Sequence, residues 1–193
     1  CYYTSNVKKY MLRLFLFAII SEIPFNLIMG SSVFYPFHQN VLWTFLLGVL
    51  SIQIIEKAKK KQKKWISFFV VCLVLLMDFL LGTITMVDYN AAGILTVLLF
   101  YFFRKKTWIS FAAQLVGLYY LNVVMLGNLY YPVTILGHHF EIAQQSFALL
   151  ALIPIWLYHG EQGYHSKWFK YFCYAFYPVH LLILVVIWQW RIR

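Results

Sequence analysis

Hydrophobic residues along this chain gather into seven runs, at about 11–29, 40–55, 65–82, 91–103, 108–126, 142–158 and 171–190. Crossing hydrocarbon takes roughly 20 mostly apolar residues in a helix, because lipid offers the backbone no other hydrogen-bond partner. The second and fourth runs are short by that measure. They are expected to tilt less, or to be extended by polar flanks turned toward the protein interior. The pattern predicts an all-α fold, a polytopic transmembrane helix bundle with about seven spans. Neither an internal repeat nor a second unit interrupts it, so residues 1–193 read as a single domain.

The stretches between the runs are of two kinds. Lys8, Lys9 and Arg13 open the first run, and Lys57, Lys59, Lys60, Lys61, Lys63 and Lys64 separate the second from the third. Arg104, Lys105 and Lys106 separate the fourth from the fifth, and Lys167 and Lys170 the sixth from the seventh. Fourteen of the 16 basic residues thus fall on one side, and only Arg191 and Arg193 on the other. The positive-inside rule makes the basic side cytoplasmic in a plasma (inner) membrane, with the C-terminus as written outside. Residues 30–39 and 127–141 are instead rich in Gly, Tyr, Pro, His and Asn, and are nearly uncharged. They are expected to re-enter the membrane or to lie over the mouth of a cavity.

Composition sharpens this picture. Apolar residues make up 63% of the chain and charged residues 11%, against roughly 25% charged in a soluble domain. So few charges leave the lipid bilayer as the main solvent. Aromatic residues reach 21%, many near run ends, where amphipathic rings anchor at headgroups. The net charge of +10 follows from the basic loops, so nucleic acid is not an expected partner. The segment from Glu56 to Lys64 is suited to anionic headgroups. Cys1, Cys72 and Cys173 form no disulfide framework, and the adjacent His138 and His139 lack a spaced third ligand, so no metal is expected.

Ionisable groups within a membrane are costly, so each one marks a candidate site. Glu22 lies inside the first span, followed by Pro24, which frees a carbonyl one turn earlier. It either ties the bundle together or serves a reaction. Asp88 and Tyr89 stand where the third and fourth runs meet, before Asn90 and Gly93. Asp88 either caps a helix or serves a site. Asp78, deeper in the third run, reads as an interhelical hydrogen-bond partner. His180 follows Phe176, Tyr177, Pro178 and Val179. It is either a packed core residue or a base, since its pKa lies near working pH. The loop from His159 through Gly160, Glu161, Gln162 and Gly163 to His165, with Lys167 and Lys170 nearby, is either a plain turn or a phosphate cradle.

Together these positions resemble the TraX family of membrane proteins, known for N-terminal acetylation of conjugative pilin. Tyr10, Arg13, Leu14 and Ser21-Glu22-Ile23-Pro24-Phe25 look like its R-L-x-x-F-A-x-x-S-E-I-P-F element. Asn40, Thr44 and Gly48 are similar to its second element, and Asp88-Tyr89-Asn90-Ala91-Ala92-Gly93 to its D-Y-G-x-x-G element. Ile153-Pro154-Ile155 through Tyr158-His159-Gly160-Glu161-Gln162-Gly163 resembles its Y-N-G-x-x-G loop. Lys170-Tyr171-Phe172 through Tyr177-Pro178-Val179-His180 looks like its closing F-Y-P-x-H element. The chain departs at Asn90, where a Gly is usual, and at His159, where an Asn is usual.

The resemblance implies an acetyl-CoA-dependent membrane N- or O-acetyltransferase, an enzyme that modifies an amine or hydroxyl of an exported peptide or glycan. It also implies a further helix upstream of Cys1 carrying an Asp-His pair, so the base is either His180 or a His of that helix. Glu22 and Asp88 would orient the base or bind the acceptor, and Tyr177, Tyr89 or Arg13 would face the oxyanion. The acyl-CoA phosphates would lie among Arg13, Arg104, Lys105, Lys167, Lys170 and His159, with Gly160 and Gly163 letting the backbone approach. Cys72 and Cys173 have no activating neighbour in sequence, so transfer is expected to be direct. Two other functions fit the same polar residues: a small proton-coupled transporter, and a non-catalytic assembly partner of a secretion or conjugation system. The oligomeric state is left open.

Overall fold

The computed structural model describes residues 6–192 apart from 128, 136, 137, 162 and 165. The first helix, α1, runs Val7–Gly30, and the Asn6 side chain caps it by accepting from the Lys9 amide at 3.0 Å. Pro24 sits inside α1 without ending it. Helix α2 spans Val41–Lys61 and is capped by Asn40. Its last turn carries Lys59, Lys60 and Lys61, where positive charge complements the helix dipole. Helix α3 spans Lys64–Ile84 and α4 Asn90–Phe102. Helix α5, Trp108–Tyr119, starts at a Thr107 cap and continues as a π-helical turn over Tyr120–Met125. A final helix, α7, spans Lys167–Ile192.

Among the described residues, five helices are long and apolar enough to cross a membrane: Val7–Gly30, Val41–Lys61, Lys64–Ile84, Trp108–Met125 and Lys167–Trp190. Asn90–Phe102 and Gln144–Leu157 are apolar but shorter. The all-helical bundle of a membrane protein is therefore as the hydrophobic pattern predicts; the fourth run is short as expected, while the second extends to a full-length helix and the sixth falls short.

The larger departure lies between α5 and α7. This connection carries a β-hairpin that the hydrophobic pattern does not predict. Strands β1 (Tyr130–Ile135) and β2 (His138–Ala143) pair antiparallel, with Tyr131 opposite Ile142 and Val133 opposite Phe140. Tyr, Val, Thr and Ile suit a pleated, half-exposed surface. The sixth run then begins as a 3₁₀ helix, Gln144–Ala151, and only Leu152–Leu157 forms the short α-helix α6. The hairpin takes residues that a full span would need, and Tyr158 leaves the helix in an extended conformation.

Helix α1 packs against α2 and α7, while α2, α3 and α4 pack mutually. The core between them holds Ile52, Ile55, Val74 and Leu98. Lipid tails are as apolar as Leu, so helix association here relies on close approach and interhelical hydrogen bonds. Both devices are present. A Cβ on Gly82 would lie 2.6 Å from the Ala91 Cα, so only glycine lets α3 meet the start of α4. Buried Asp78 accepts from Ser51 Oγ at 2.7 Å, joining α3 to α2 as expected of an interhelical partner. Outward, Trp65, Phe68, Phe69, Trp168 and Phe172 are exposed on α3 and α7, the faces turned to lipid.

The bundle has two chemically different ends. At one, Tyr101 of α4 donates to Glu56 of α2 at 2.5 Å, and the Lys59 ammonium lies 5.1 Å from the Tyr101 ring centroid. Lys106 donates to the Trp156 carbonyl at 3.0 Å and also to that of Tyr158, bringing the close of α6 to the same end. At the other end, Gln39 and Val87 form an isolated parallel bridge between the α1–α2 and α3–α4 connections. The basic loops thus share one end, as their alternation along the chain requires.

Candidate functional site

The end opposite the lysines holds a polar cluster assembled from α1, α2, the α3–α4 turn and α7. Glu22 enters from α1. One carboxylate oxygen, Oε2, accepts from the Trp43 indole at 3.0 Å and from the Asn40 amide nitrogen. The other, Oε1, is buried and has no partner among the described residues. Asn40 is fixed on both sides, donating to the Ala18 carbonyl at 2.9 Å and accepting from the Leu42 amide at 3.1 Å. One side chain therefore caps α2 and holds the Glu22 carboxylate against it. The residue that sequence reading placed only in a motif is the hinge of this cluster.

Asp88 comes from the α3–α4 turn. Backbone bonds hold the turn: Gln39 N–H donates to the Met86 carbonyl at 2.9 Å, and Asp88 N–H to the Gln39 carbonyl at 2.8 Å. Thr44 donates to the Asp88 carbonyl at 2.8 Å. A Cβ on Gly93 would lie 2.7 Å from the Thr44 methyl and 3.0 Å from the Asp88 carbonyl. The glycine is what allows that packing. Tyr89 and Asn90 both have left-handed backbones, at φ 61 and 48. That explains why glycine is usual where Asn90 stands, and why Asn is its best substitute. Asp88 does not cap α4 by its side chain, since the Tyr89 cap position carries no side-chain cap bond.

The Asp88 carboxylate meets His38 instead, with Oδ1 3.4 Å from Nε2. The His38 ring stacks on Phe25 of α1 with centroids 5.6 Å apart. Burial lifts the Asp88 carboxyl above the ordinary carboxylate value, while His38 and the Tyr89 backbone N–H oppose that rise. Burial and the charge of Asp88 raise the Tyr89 phenol. Tyr177 arrives from α7, its phenol interacting with the Val41 backbone N–H at the start of α2 and with the charges of Asp88 and Glu22.

Three of the four predicted catalytic residues, Glu22, Asp88 and Tyr177, thus come together. His180 does not join them. It lies one turn beyond Tyr177, with Nδ1 3.2 Å from the Tyr177 carbonyl. Its ring stacks on Phe176, and it lines an apolar groove with Phe172, Ala175, Val179 and Ile183. Trp43 and His38 were missed in the sequence. Trp43 hides in an apolar run, and His38 sits in a loop whose approach to Asp88 only the bridge between Gln39 and Val87 creates.

The basic residues expected at acyl-CoA phosphates divide between two places at the lysine end. Lys167, Lys170 and Gly163 line an open groove of about 810 Å³ with Tyr174, and the Arg13 guanidinium lies 5.5 Å from the Tyr174 ring centroid. Arg104 instead lines a cavity of about 450 Å³ with Lys57, Lys60 and Tyr101. Lys105 and His159 are exposed, and Gly160 has φ 82, a left-handed conformation that suits glycine. Gln162 and His165 of that loop lie outside the described residues. Lys106 is committed to carbonyls of the α6 segment.

A polar cluster thus stands at one end and a cationic groove at the other. No curated protein and no solved structure matches the chain. A family model described as TraX protein matches residues 2–188, nearly its whole length, and the chain belongs to the TraX family.

Proposed function

We propose that this protein is an acetyl-CoA-dependent membrane acetyltransferase acting on an amine or hydroxyl of an exported peptide or glycan. The observation that carries this reading is the convergence of Glu22, Asn40, Asp88 and Tyr177. Four sequence elements spread from α1 to α7 deliver polar side chains to one cluster. Polar groups in a membrane protein are retained at that cost where they bind or react.

The basic end lies in the cytoplasm of a plasma (inner) membrane. Arg13, Lys167, Lys170 and Gly163 hold the donor phosphates there, with Arg104, Lys105, His159 and Gly160 on the adjoining loops. Backbone N–H groups and charge suit phosphate oxygens. From Val7 to Glu22 is 15 residues of helix, about 22 Å at 1.5 Å per residue. The thioester arm of the donor enters the bundle over that depth, and the acceptor approaches from the opposite end. The unpartnered Glu22 Oε1 accepts a hydrogen bond from the acceptor. Tyr177 donates to the oxyanion that develops on the thioester carbonyl, where one donor is typically worth about 3–4 kcal/mol.

Detergent-purified protein is expected to bind acetyl-CoA and to transfer radiolabelled acetyl to peptide amines or glycan hydroxyls. Glu22→Gln is expected to retain donor binding and lose transfer. A protein that neither binds acetyl-CoA nor transfers acetyl to either class overturns the proposal.

A further inference from the structure

We infer that His38, which belongs to none of the matched motif elements, is the general base of this polar cluster and that Asp88 positions it. The inference rests on the acetyltransferase reading above. Its ground is the geometry of the α1–α2 loop. His38 and Asp88 flank the backbone bridge between Gln39 and Val87, so main-chain bonds on both strands of the bridge set their approach. The imidazole is held flat on Phe25 at an interplanar angle of 14°. Its Nε2 faces the Asp88 carboxylate. A carboxylate on one ring nitrogen fixes the tautomer with the proton there and leaves the lone pair on the other. That other nitrogen, Nδ1, is free to take a proton. The side chain is 33% exposed, so an acceptor can reach it. The 3.4 Å separation is long for a hydrogen bond, as catalytic pairs often are before substrate binds.

His180 is held by a backbone carbonyl rather than a carboxylate: its Nδ1 faces the Tyr177 carbonyl of its own helix, and among the described residues its groove is lined by Phe172, Ala175, Phe176, Val179 and Ile183, away from the polar cluster. The titratable groups around the His38–Asp88 pair are Tyr89 beside Asp88, and Tyr177 and Glu22 across the pocket.

The acceptor nitrogen or oxygen attacks the thioester carbonyl carbon, and its proton passes to His38 Nδ1. The new C–N or C–O bond forms, the C–S bond breaks, and the thiolate leaves with the electron pair. The imidazolium then returns the proton to the thiolate. Acceptor and acyl thioester become acylated acceptor and free thiol, with no oxidant or reductant required.

The test compares wild type, His38→Gln, His38→Ala and Asp88→Asn in full-length detergent-purified protein, measuring acetyl-CoA binding by calorimetry and acetyl transfer by kcat and KM. His38→Gln is expected to lower kcat by about 10²–10⁴-fold with acetyl-CoA binding unchanged. Free imidazole is expected to restore part of the His38→Ala rate, which loss of a merely structural contact would not allow. Asp88→Asn is expected to lower kcat, and to add little to the His38→Gln loss, because residues acting as a unit are not additive. Wild-type rates in His38→Gln overturn the assignment, as does a loss confined to His180→Gln. Should His38→Gln fail to fold, absence of both imidazole rescue and an Asp88→Asn effect overturns it. An inactive wild type instead overturns the acetyltransferase reading itself, which keeps the two failures apart.

Discussion

Asn90 carries the clearest backbone constraint in the pocket. At φ 48 a β-branched residue clashes with its own carbonyl, a cost of about 1–2 kcal/mol. Asn90→Val is expected to lower stability by that amount in thermal unfolding in detergent, while Asn90→Gly is tolerated. Asp88 adds a pH dependence. Its folded-state pKa is raised above the ordinary value of 3.8, chiefly by burial. A carboxyl raised on folding contributes stability that is complete below the unfolded value and is lost as pH rises through the folded one. Stability is therefore expected to fall as pH climbs above about 4, through the raised Asp88 value. Asp88→Asn is expected to flatten that part of the curve. A pH profile of the melting temperature for both proteins decides it, since an unchanged slope in the variant removes Asp88 as the cause.

Between elements, polar contacts stand in for the hydrophobic driving force that lipid removes. The Ser51–Asp78 bond joins α2 and α3 within the buried core, and the second Asp78 oxygen has no partner among the described residues. Ser51→Ala leaves the whole carboxyl unsatisfied and is expected to cost about 1–3 kcal/mol. Adding Asp78→Leu to Ser51→Ala is expected to recover much of the loss, because removing both partners leaves no orphaned group. Calorimetric unfolding of both variants shows which holds, and a double variant worse than the single one would mean that Asp78 has another role. The same logic explains Asn40. It caps α2 and anchors Glu22 with one amide, so its loss would disturb an element and a site together.

For the whole molecule, the two ends make a directional prediction. The lysine end faces the cytoplasm in the proposed arrangement, and the His38–Asp88 end faces out. Phe34, exposed in the α1–α2 loop, and Lys60, near the end of α2, lie at opposite ends. In a background with Cys1, Cys72 and Cys173 replaced by serine, Phe34→Cys is expected to react with a membrane-impermeant maleimide in intact cells. Lys60→Cys is expected to react only after permeabilisation. The reverse pattern would invert the molecule and place the donor groove on the wrong side for a cytoplasmic thioester.

Apolar run length, Lys and Arg spacing and six scattered acids were enough to give a helical membrane protein, its two unlike ends and Glu22 and Asp88 as candidate site residues. These features are local: a run long enough to span and a charge too costly to bury are properties of a single segment. The hairpin at Tyr130–Ala143 escaped because its short alternation is embedded between apolar runs, and nothing local says that it takes residues from the sixth span. Pairings across the fold were equally out of reach. Glu22 meets Asn40 and Trp43, Tyr177 meets the start of α2, and His180 turns toward an apolar groove on the same helix that aims Tyr177 inward. Three residues along a helix is a rotation of about 300°, so which of two neighbouring polar side chains faces the pocket depends on how α7 is rotated against α1. Sequence fixes the order of residues along each helix, while rotation and contact are set by packing between helices, and a backbone bridge between two distant connections is what puts His38 beside Asp88.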